Sequence, residues 1–321
     1  MDFQALQAQL STVITIPVTP FAADGSFDRE NHVATIRRLV AAGVKVITVN
    51  GNTSEFYSLS PSEHEAALAA TVEAAAGQAV VVAGAGYDID SVIRAGHQAQ
   101  ALGAAAVMIH QPLNPIQSPD GWVDYHTQIA AALPAMPLVL YLRSPSITAE
   151  HLARLAERCA NIVAVKYGVP DPLRFGAAVE AVPAGRLTWL CGLAEMWTPF
   201  FWLAGARGFT SGLVNVAPAL PLEMLASLRA GDYAAAQALS ARIRPFEAMR
   251  ARDNGALNVS VIKEALAQLG LGPRRVRPPI QELNPAQRAE VAAMLPALGA
   301  LGASEILGRR QFVSARAAAS D

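Results

Sequence analysis

The sequence predicts an α/β protein, a (β/α)8 TIM barrel followed by a C-terminal helical extension. Short runs rich in Val, Ile and Leu alternate with longer alanine-rich segments, whose apolar residues recur three and four positions apart. The short runs are continuously apolar, which is typical of parallel strands buried on both faces. After Ser211 the alternation stops and only helical segments follow. These observations predict a closed parallel sheet covered by helices, with further helices added at its end.

Eight runs are predicted to be strands, and Gly, Pro or Asn borders most of them. In chain order they are Val13–Thr19, Val44–Asn50, Ala79–Gly84, Ala105–His110, Leu138–Leu142, Ile162–Tyr167, Leu187–Cys191 and Gly208–Ser211. Eight strand–helix units within about 200 residues favour a closed barrel over an open, doubly wound sheet. An open sheet would carry a glycine-rich phosphate turn, and the nearest candidate, Gly84-Ala85-Gly86, lacks the third glycine.

The predicted helices carry sequence signals at their N-termini. Ser60-Pro61-Ser62-Glu63 places a proline in the first turn and a glutamate near the positive end of the helix dipole. The predicted helices are Arg29–Ala42, Pro61–Ala76, Ser91–Leu102, Gly121–Leu133 and Thr148–Arg158 within the barrel, then Leu220–Ala230, Tyr233–Ala251, Ser260–Leu269 and Pro285–Leu298. We predict a catalytic barrel over residues 1–215, a helical extension packed on it over 216–300, and a flexible tail over 301–321.

The composition excludes several classes of protein. The chain has 321 residues and a formal net charge of -1, so it offers no basic field for nucleic acid or an anionic membrane. Its interrupted apolar stretches are too short to span a bilayer, and its two cysteines are too few for a disulfide framework. The six histidines show neither HxH nor HExxH spacing. We expect a cytoplasmic protein without a metal or another cofactor.

Two strand-end residues are the main catalytic candidates, because reactive groups of such barrels lie at the C-terminal ends of the strands. Lys166 interrupts the apolar run of the sixth strand, and burial in the barrel mouth would lower its pKa and favour attack on a ketone. An ion-paired lysine with its amine in solvent is the alternative. Tyr141 ends the fifth strand, where a phenol could carry protons for imine formation or simply pack.

Other strand ends supply candidates for substrate binding. Asn52 and Thr53 lie in the loop after the second strand, whose amide, hydroxyl and backbone N–H groups suit a carboxylate, although the loop could be an ordinary turn. His110 ends the fourth strand and is either a pocket residue or a packing residue. Thr210 and Ser211 end the eighth strand and are predicted to contact the substrate.

These segments resemble the dihydrodipicolinate synthase and N-acetylneuraminate lyase superfamily. The similarity covers Ile16–Phe21, Gly51–Phe56, Tyr141, Val163–Lys166 and Gly208–Asn215, and it extends over most of the chain. It implies a (β/α)8 barrel, usually tetrameric, that acts as a class I aldolase, lyase or dehydratase on 2-oxo acids. It also implies that Lys166 forms the Schiff base, that Tyr141 relays protons and that Asn52 and Thr53 hold the carboxylate.

The chain also departs from the synthases of this superfamily. Those enzymes have a tyrosine after the fourth strand, where this chain reads His110-Gln111-Pro112-Leu113-Asn114-Pro115. They have Thr or Ser at the position of Asn52, and an arginine at the position of Ser146. These differences argue against a role in lysine biosynthesis.

A dehydratase branch is more similar. The 5-dehydro-4-deoxyglucarate dehydratases resemble this chain at Ser54–Leu59, Tyr141-x-Arg143, Leu155–Cys159 and Asn258–Lys263. Arg143 is then a candidate for binding a distal carboxylate, because a guanidinium can bind a carboxylate with two hydrogen bonds.

The sequence thus predicts a Schiff-base lyase that dehydrates a deoxy sugar acid of the 5-dehydro-4-deoxyglucarate type. A pyruvate-dependent aldolase or synthase is the nearest alternative, and a non-catalytic ligand-binding barrel is another. The expected partner is a small 2-oxo acid. We also expect a homo-oligomer, either a tetramer or a dimer, because an alanine-rich barrel with an added helical layer offers apolar faces to bury.

Overall fold

Eight parallel strands close into a barrel in the computed structural model, which describes residues 3–300 and Gly302. The strands are β1 (Val13–Thr15), β2 (Val46–Val49), β3 (Val80–Ala85), β4 (Ala106–Ile109), β5 (Leu138–Leu142), β6 (Ile162–Tyr167), β7 (Thr188–Cys191) and β8 (Gly208–Ser211). They follow one another in sequence order, and β8 pairs with β1 through Ile14 and Thr210. This arrangement confirms the predicted fold class.

Helices surround the barrel, and side-chain caps fix the N-termini of most of them. They are α2 (Arg29–Ala41), α3 (Pro61–Ala75), α4 (Ile89–Ala101), α5 (Pro119–Ala132), α6 (Ala149–Arg158), α7 (Pro172–Ala181) and α8 (Thr198–Leu203), and they follow α1 (Phe3–Leu10). Two of them begin two residues earlier than predicted, because Asp88 and Ser118 accept hydrogen bonds from backbone N–H groups of the first turn.

Four strands are shorter than the apolar runs suggested, and the difference is largest for β1 and β2. β1 was predicted to reach Thr19 but ends at Thr15, since Pro17 has no N–H for a strand ladder and Val18 donates to the Asn215 side chain instead. β2 was predicted to reach Asn50 but ends one residue earlier, because Asn50 adopts a left-handed backbone with φ of 58°. Both chain segments leave the sheet at its C-terminal edge.

Helix α1 covers the N-terminal end of the barrel and was not predicted from the sequence. Leu6 and Leu10 pack into the inner core together with inward-facing strand residues. The Gln7 side chain donates to the carbonyl of Val163 at 3.0 Å and to that of Arg186 at 2.8 Å. The helix therefore closes one end of the barrel, and the opposite end remains for a site.

The C-terminal extension comprises α9 (Ala219–Arg229), α10 (Tyr233–Gly255), α11 (Asn258–Gln268) and α12 (Pro285–Leu298). Helix α10 is broken near its end, where Arg252 is extended and Asp253 and Asn254 are left-handed. None of the helices in the described part of the chain is long and apolar enough to cross a membrane. The tail predicted over residues 301–321 lies outside the described residues, apart from Gly302.

Candidate active site

Lys166 and Tyr141 lie side by side in the barrel. They are register partners on β6 and β5, and the Lys166 Nζ atom is 3.9 Å from the centroid of the Tyr141 ring. Their side chains are nearly inaccessible, with 4% of Lys166 and 7% of Tyr141 exposed. Adjacent parallel strands thus place an amine against a phenol inside the fold.

Burial shifts the pKa of both groups in directions that suit imine chemistry. It lowers the pKa of Lys166 to about 7, and the positive charge of Arg143 contributes to this shift. Burial raises the pKa of Tyr141, while Arg143 and a hydrogen bond with Asn52 act in the opposite direction. Near neutral pH a large fraction of the amine is therefore uncharged and nucleophilic, and the phenol keeps its proton.

A cavity of about 430 Å³ opens at the C-terminal end of the strands, with Lys166 in its wall. It brings together most of the predicted site residues, namely Asn52, Thr53, Tyr141, Arg143, Lys166, Thr210 and Ser211. These residues come from β2, β5, β6 and β8 and the loops after them. The volume is sufficient for a small organic acid.

The loop after β2 is held in a compact turn by its own hydrogen bonds. Ser54 N donates to Gly51 O and Glu55 N donates to Asn52 O, both at 3.0 Å. The Ser54 hydroxyl donates to Pro17 O at 2.6 Å, which ties the loop to the segment after β1. This turn presents Asn52 and Thr53 to the cavity.

Arg143 lies where the main cavity meets a second cavity of about 440 Å³ under the loop after β4. Its side chain is exposed, and its backbone N–H donates to the Gln111 side chain at 3.1 Å. Arg143 thus provides a positive charge two residues beyond Tyr141. An anionic group of a ligand bound at Lys166 would meet this charge.

His110 lies behind Tyr141 and does not line either of these cavities. Its Nε2 atom is 2.9 Å from the carbonyl of Asn50, which can only accept, so this nitrogen carries the hydrogen. The ring stacks on Phe56 at 4.2 Å and meets the edge of the Tyr141 ring at 6.2 Å. Burial lowers the pKa of His110 to about 3, so the residue is neutral and supports the position of Tyr141.

On the opposite side of the cavity, Ser211 donates to the carboxylate of Glu195 and accepts from Val214 N at 3.0 Å. Burial raises the pKa of Glu195 to about 8, and the negative charge of Glu247 adds to this shift. Thr210, on the same strand as Ser211, lines the cavity and is 6% exposed.

The extension contributes cavity residues that the sequence analysis did not identify. Glu247, Arg250 and Asn258 line the main cavity, and Arg250 pairs with Glu247 and donates to the Asn258 side chain. The guanidinium packs on Gly212, where a Cβ atom would lie 2.4 Å from it. Only the resemblance over Asn258–Lys263 pointed to this region, because nothing in the local pattern of α10 shows which residues face the barrel.

Within residues 3–300 and Gly302, no group of three or more His, Cys, Asp or Glu side chains is arranged to hold a metal ion. The polar groups of the cavity are an amine, a phenol, amides, hydroxyls, guanidinium groups and the carboxylate of Glu247, which is paired with Arg250. This set suits an oxo acid that reacts with the amine.

Residues 9–298 match the model of the dihydrodipicolinate synthetase family. A "probable 5-dehydro-4-deoxyglucarate dehydratase" of Ralstonia nicotianae is 31% identical, over 88% of this chain and 91% of the relative. A protein of Methylobacterium radiotolerans with the same name is 32% identical, over 89% of this chain and 94% of the relative.

Solved structures with the same fold are described as dihydrodipicolinate synthases. The structure from Bacillus clausii has a TM-score of 0.88 and 42% identity, and it covers 91% of this chain and 99% of its own. The structure from Oceanobacillus iheyensis has a TM-score of 0.89 and 36% identity, covering 93% and 99% of the two chains.

Proposed function

Because the chain belongs to the dihydrodipicolinate synthetase family, we propose that it is a Schiff-base lyase that dehydrates a deoxy sugar acid of the 5-dehydro-4-deoxyglucarate type. The observation that carries the proposal is the buried amine of Lys166, which lies 3.9 Å from the Tyr141 ring at the wall of the cavity. The names of the relatives from Ralstonia nicotianae and Methylobacterium radiotolerans support the dehydration.

The first step is condensation of the amine with the ketone. The uncharged Nζ of Lys166 attacks the carbonyl carbon, and proton transfer from nitrogen to oxygen gives a carbinolamine. Tyr141 then donates its proton to the departing hydroxyl, so that water leaves and a protonated imine remains. The phenolate that this step leaves on Tyr141 is the base for the next one.

The second step expels the hydroxyl group of the substrate. The protonated imine acidifies the adjacent CH₂ group, and the Tyr141 phenolate removes a proton from it to give an enamine. The enamine electrons then form a carbon–carbon double bond as the β-hydroxyl leaves with its bonding electrons and takes up the proton that Tyr141 has just gained, so that water departs and the phenolate is formed again. Hydrolysis of the conjugated imine releases the dehydrated oxo acid and restores the amine of Lys166.

Cavity residues on both sides of Lys166 would orient the substrate. Asn52 and Thr53 would bind the carboxylate next to the ketone, and Arg143 would bind the distal carboxylate. Thr210 and Ser211 would contact the hydroxylated part of the chain, and His110 would act by holding Tyr141.

A pyruvate-dependent aldolase or synthase is the second candidate. It is favoured by the 42% identity to the structure from Bacillus clausii, which exceeds the identity to the two dehydratase-named relatives. The loop after β4 argues against it, since this loop contains no tyrosine between His110 and Pro115. A non-catalytic ligand-binding barrel would share the fold but would not form an imine.

Borohydride trapping tests the Schiff base. The chain has only three lysines, so an adduct with pyruvate can be assigned by peptide mass spectrometry to Lys45, Lys166 or Lys263. We expect the adduct on Lys166, its loss in Lys166→Ala and its retention in the control Lys45→Ala, where the exposed lysine is removed. An unmodified protein, or an adduct only on another lysine, would disprove the proposed chemistry.

Product analysis then separates the two enzymatic candidates. Incubation with 4-hydroxy-2-oxo diacids should yield a dehydrated oxo acid if the enzyme is a dehydratase. Release of pyruvate and an aldehyde would instead show an aldolase.

A further inference from the structure

A buried ion pair joins the C-terminal extension to the loop that carries Asn52 and Thr53. Lys263 of α11 pairs with Glu55, and neither side chain is exposed at all (0% for both). The Lys263 ammonium also donates to the carbonyl of Arg275 at 2.7 Å and lies 4.2 Å from the Phe21 ring. The pair spans 208 residues of sequence, so it connects parts of the chain that only the fold brings together.

The carboxylate of Glu55 is satisfied on both oxygens. One oxygen binds Lys263, and the other accepts from the backbone N–H of Arg277 at 3.0 Å. A buried ion pair is stable only when additional hydrogen bonds satisfy both groups, and removing one member of the pair leaves the other as an uncompensated buried charge. The conformation of Glu55 is therefore set by the extension.

The backbone of Glu55 needs this support. Glu55 has φ of 60° and ψ of 39°, a left-handed conformation that is disfavoured for residues with a Cβ atom. Its N–H donates to Asn52 O at 3.0 Å, so Glu55 and the cavity-lining Asn52 are parts of one turn. On the other side of the turn, Ser54 binds Pro17 O and its carbonyl accepts from Thr19.

We propose that Lys263 and Glu55 are positioning residues, which keep the turn over residues 51–55 in the conformation that binds the substrate carboxylate. The segment after β1 holds one side of this turn and the extension holds the other. The inference rests on the proposed function, in which Asn52 and Thr53 bind the carboxylate. It assigns to the extension a role in substrate affinity, although Lys263 itself does not line the cavity.

Lys263→Met tests the proposal, because methionine keeps the apolar stem and removes the ammonium group. We expect the pyruvate concentration for half-maximal borohydride trapping to rise about tenfold, as for loss of a charged hydrogen bond. The maximal trapping rate should stay within about twofold, because Lys166 and Tyr141 are unchanged. Glu55→Gln should raise the half-maximal pyruvate concentration less than Lys263→Met does. The amide oxygen of glutamine can still accept a hydrogen bond from Lys263, and only the acceptor for the backbone N–H of Arg277 is lost.

Arg229→Met is the matched control. Its guanidinium also joins the extension to the barrel, through the carbonyl of Ser11 at 2.6 Å, and it has no contact with Glu55 or Lys263. We expect this variant to keep the half-saturation of the wild type. An equal rise in half-saturation for Arg229→Met and Lys263→Met would overturn the proposal, as would a lower melting temperature of Lys263→Met without any change in half-saturation.

Calorimetric titration with pyruvate separates this inference from the proposed chemistry, because it measures binding whether or not an imine forms. A wild-type protein that binds pyruvate but gives no adduct would disprove the Schiff base only, and weaker binding by Lys263→Met would still support the positioning role. Absence of pyruvate binding in the wild type would disprove both. If Lys263→Met does not fold, Glu55→Gln alone decides the outcome by the same two measurements.

Discussion

Burial and charge act together on the amine of Lys166. Desolvation is the larger cause of its lowered pKa, and the positive charge of Arg143 is the next. Arg143 is exposed and lowers the pKa of Lys166 from the rim of the cavity. At this position it would also contact an anionic group of the substrate. The same residue is thus expected to influence both the nucleophile and the binding of the substrate.

The pH dependence of trapping tests the first of these effects. Since only the uncharged amine attacks, the rate with saturating pyruvate should rise as pH increases through about 7 and level off above it. Arg143→Met removes a cation, which raises the pKa of Lys166 and moves this rise to higher pH, with a rate about threefold lower at pH 6. Arg94→Met, at an exposed arginine of α4, should leave the profile in place. An unchanged profile for Arg143→Met would contradict the electrostatic coupling.

At the scale of secondary structure, two elements were hard to predict for different reasons. Helix α1 has only eight residues, too few for a clear apolar pattern. It is stabilised by the packing of Leu6 and Leu10 in the inner core of the barrel. Helix α10 was predicted as a helix, but its break at Arg252–Asn254, which places its last residues at the cavity, was not. The position of α1 and the break in α10 are thus set by packing on the barrel rather than by local preference.

Leu10→Ala tests the contribution of α1. The side chain is fully buried, at 0% exposure, so its truncation should lower the free energy of unfolding by about 2–5 kcal/mol. Urea denaturation measures this loss. Leu113→Ala, at a leucine that is 61% exposed, should change stability by less than about 0.5 kcal/mol. Equal stabilities of the two variants would show that α1 does not close the barrel in solution.

At the scale of the whole molecule, the described surface carries large exposed apolar side chains. They include Leu113 and Ile116 in the loop after β4, Leu173 at the start of α7, and Phe200 and Leu203 on α8. Phe200 and Leu203 are three residues apart on one helix, so they lie on the same face. Neighbouring apolar groups of this kind favour burial against another copy of the chain.

We therefore expect a homo-oligomer in solution. Light scattering coupled to size exclusion should give a mass of two or four times 33.7 kDa, and Leu203→Glu should reduce it. Phe3→Ala, at the covered end of the barrel, is a control that should leave the mass unchanged. A mass of 33.7 kDa at all working concentrations would show that the expectation is wrong.

Much of this protein follows from its sequence alone. Eight continuously apolar runs between helical segments determine the closed parallel barrel, because strands buried on both faces need an apolar residue at almost every position. Lys166 interrupts one run close to its C-terminal end, and Tyr141 is the last residue but one of another, so the sequence also places both residues at the C-terminal end of the barrel.

Only the tertiary structure decided which distant residues share the cavity. The contact of Arg250 with Gly212 and the pair between Lys263 and Glu55 depend on how the extension docks on the barrel. This docking depends on many weak contacts between residues that are far apart in sequence, and the local hydrophobic periodicity does not predict such contacts. The sequence therefore determined the barrel and its candidate nucleophile, and the fold decided what surrounds them.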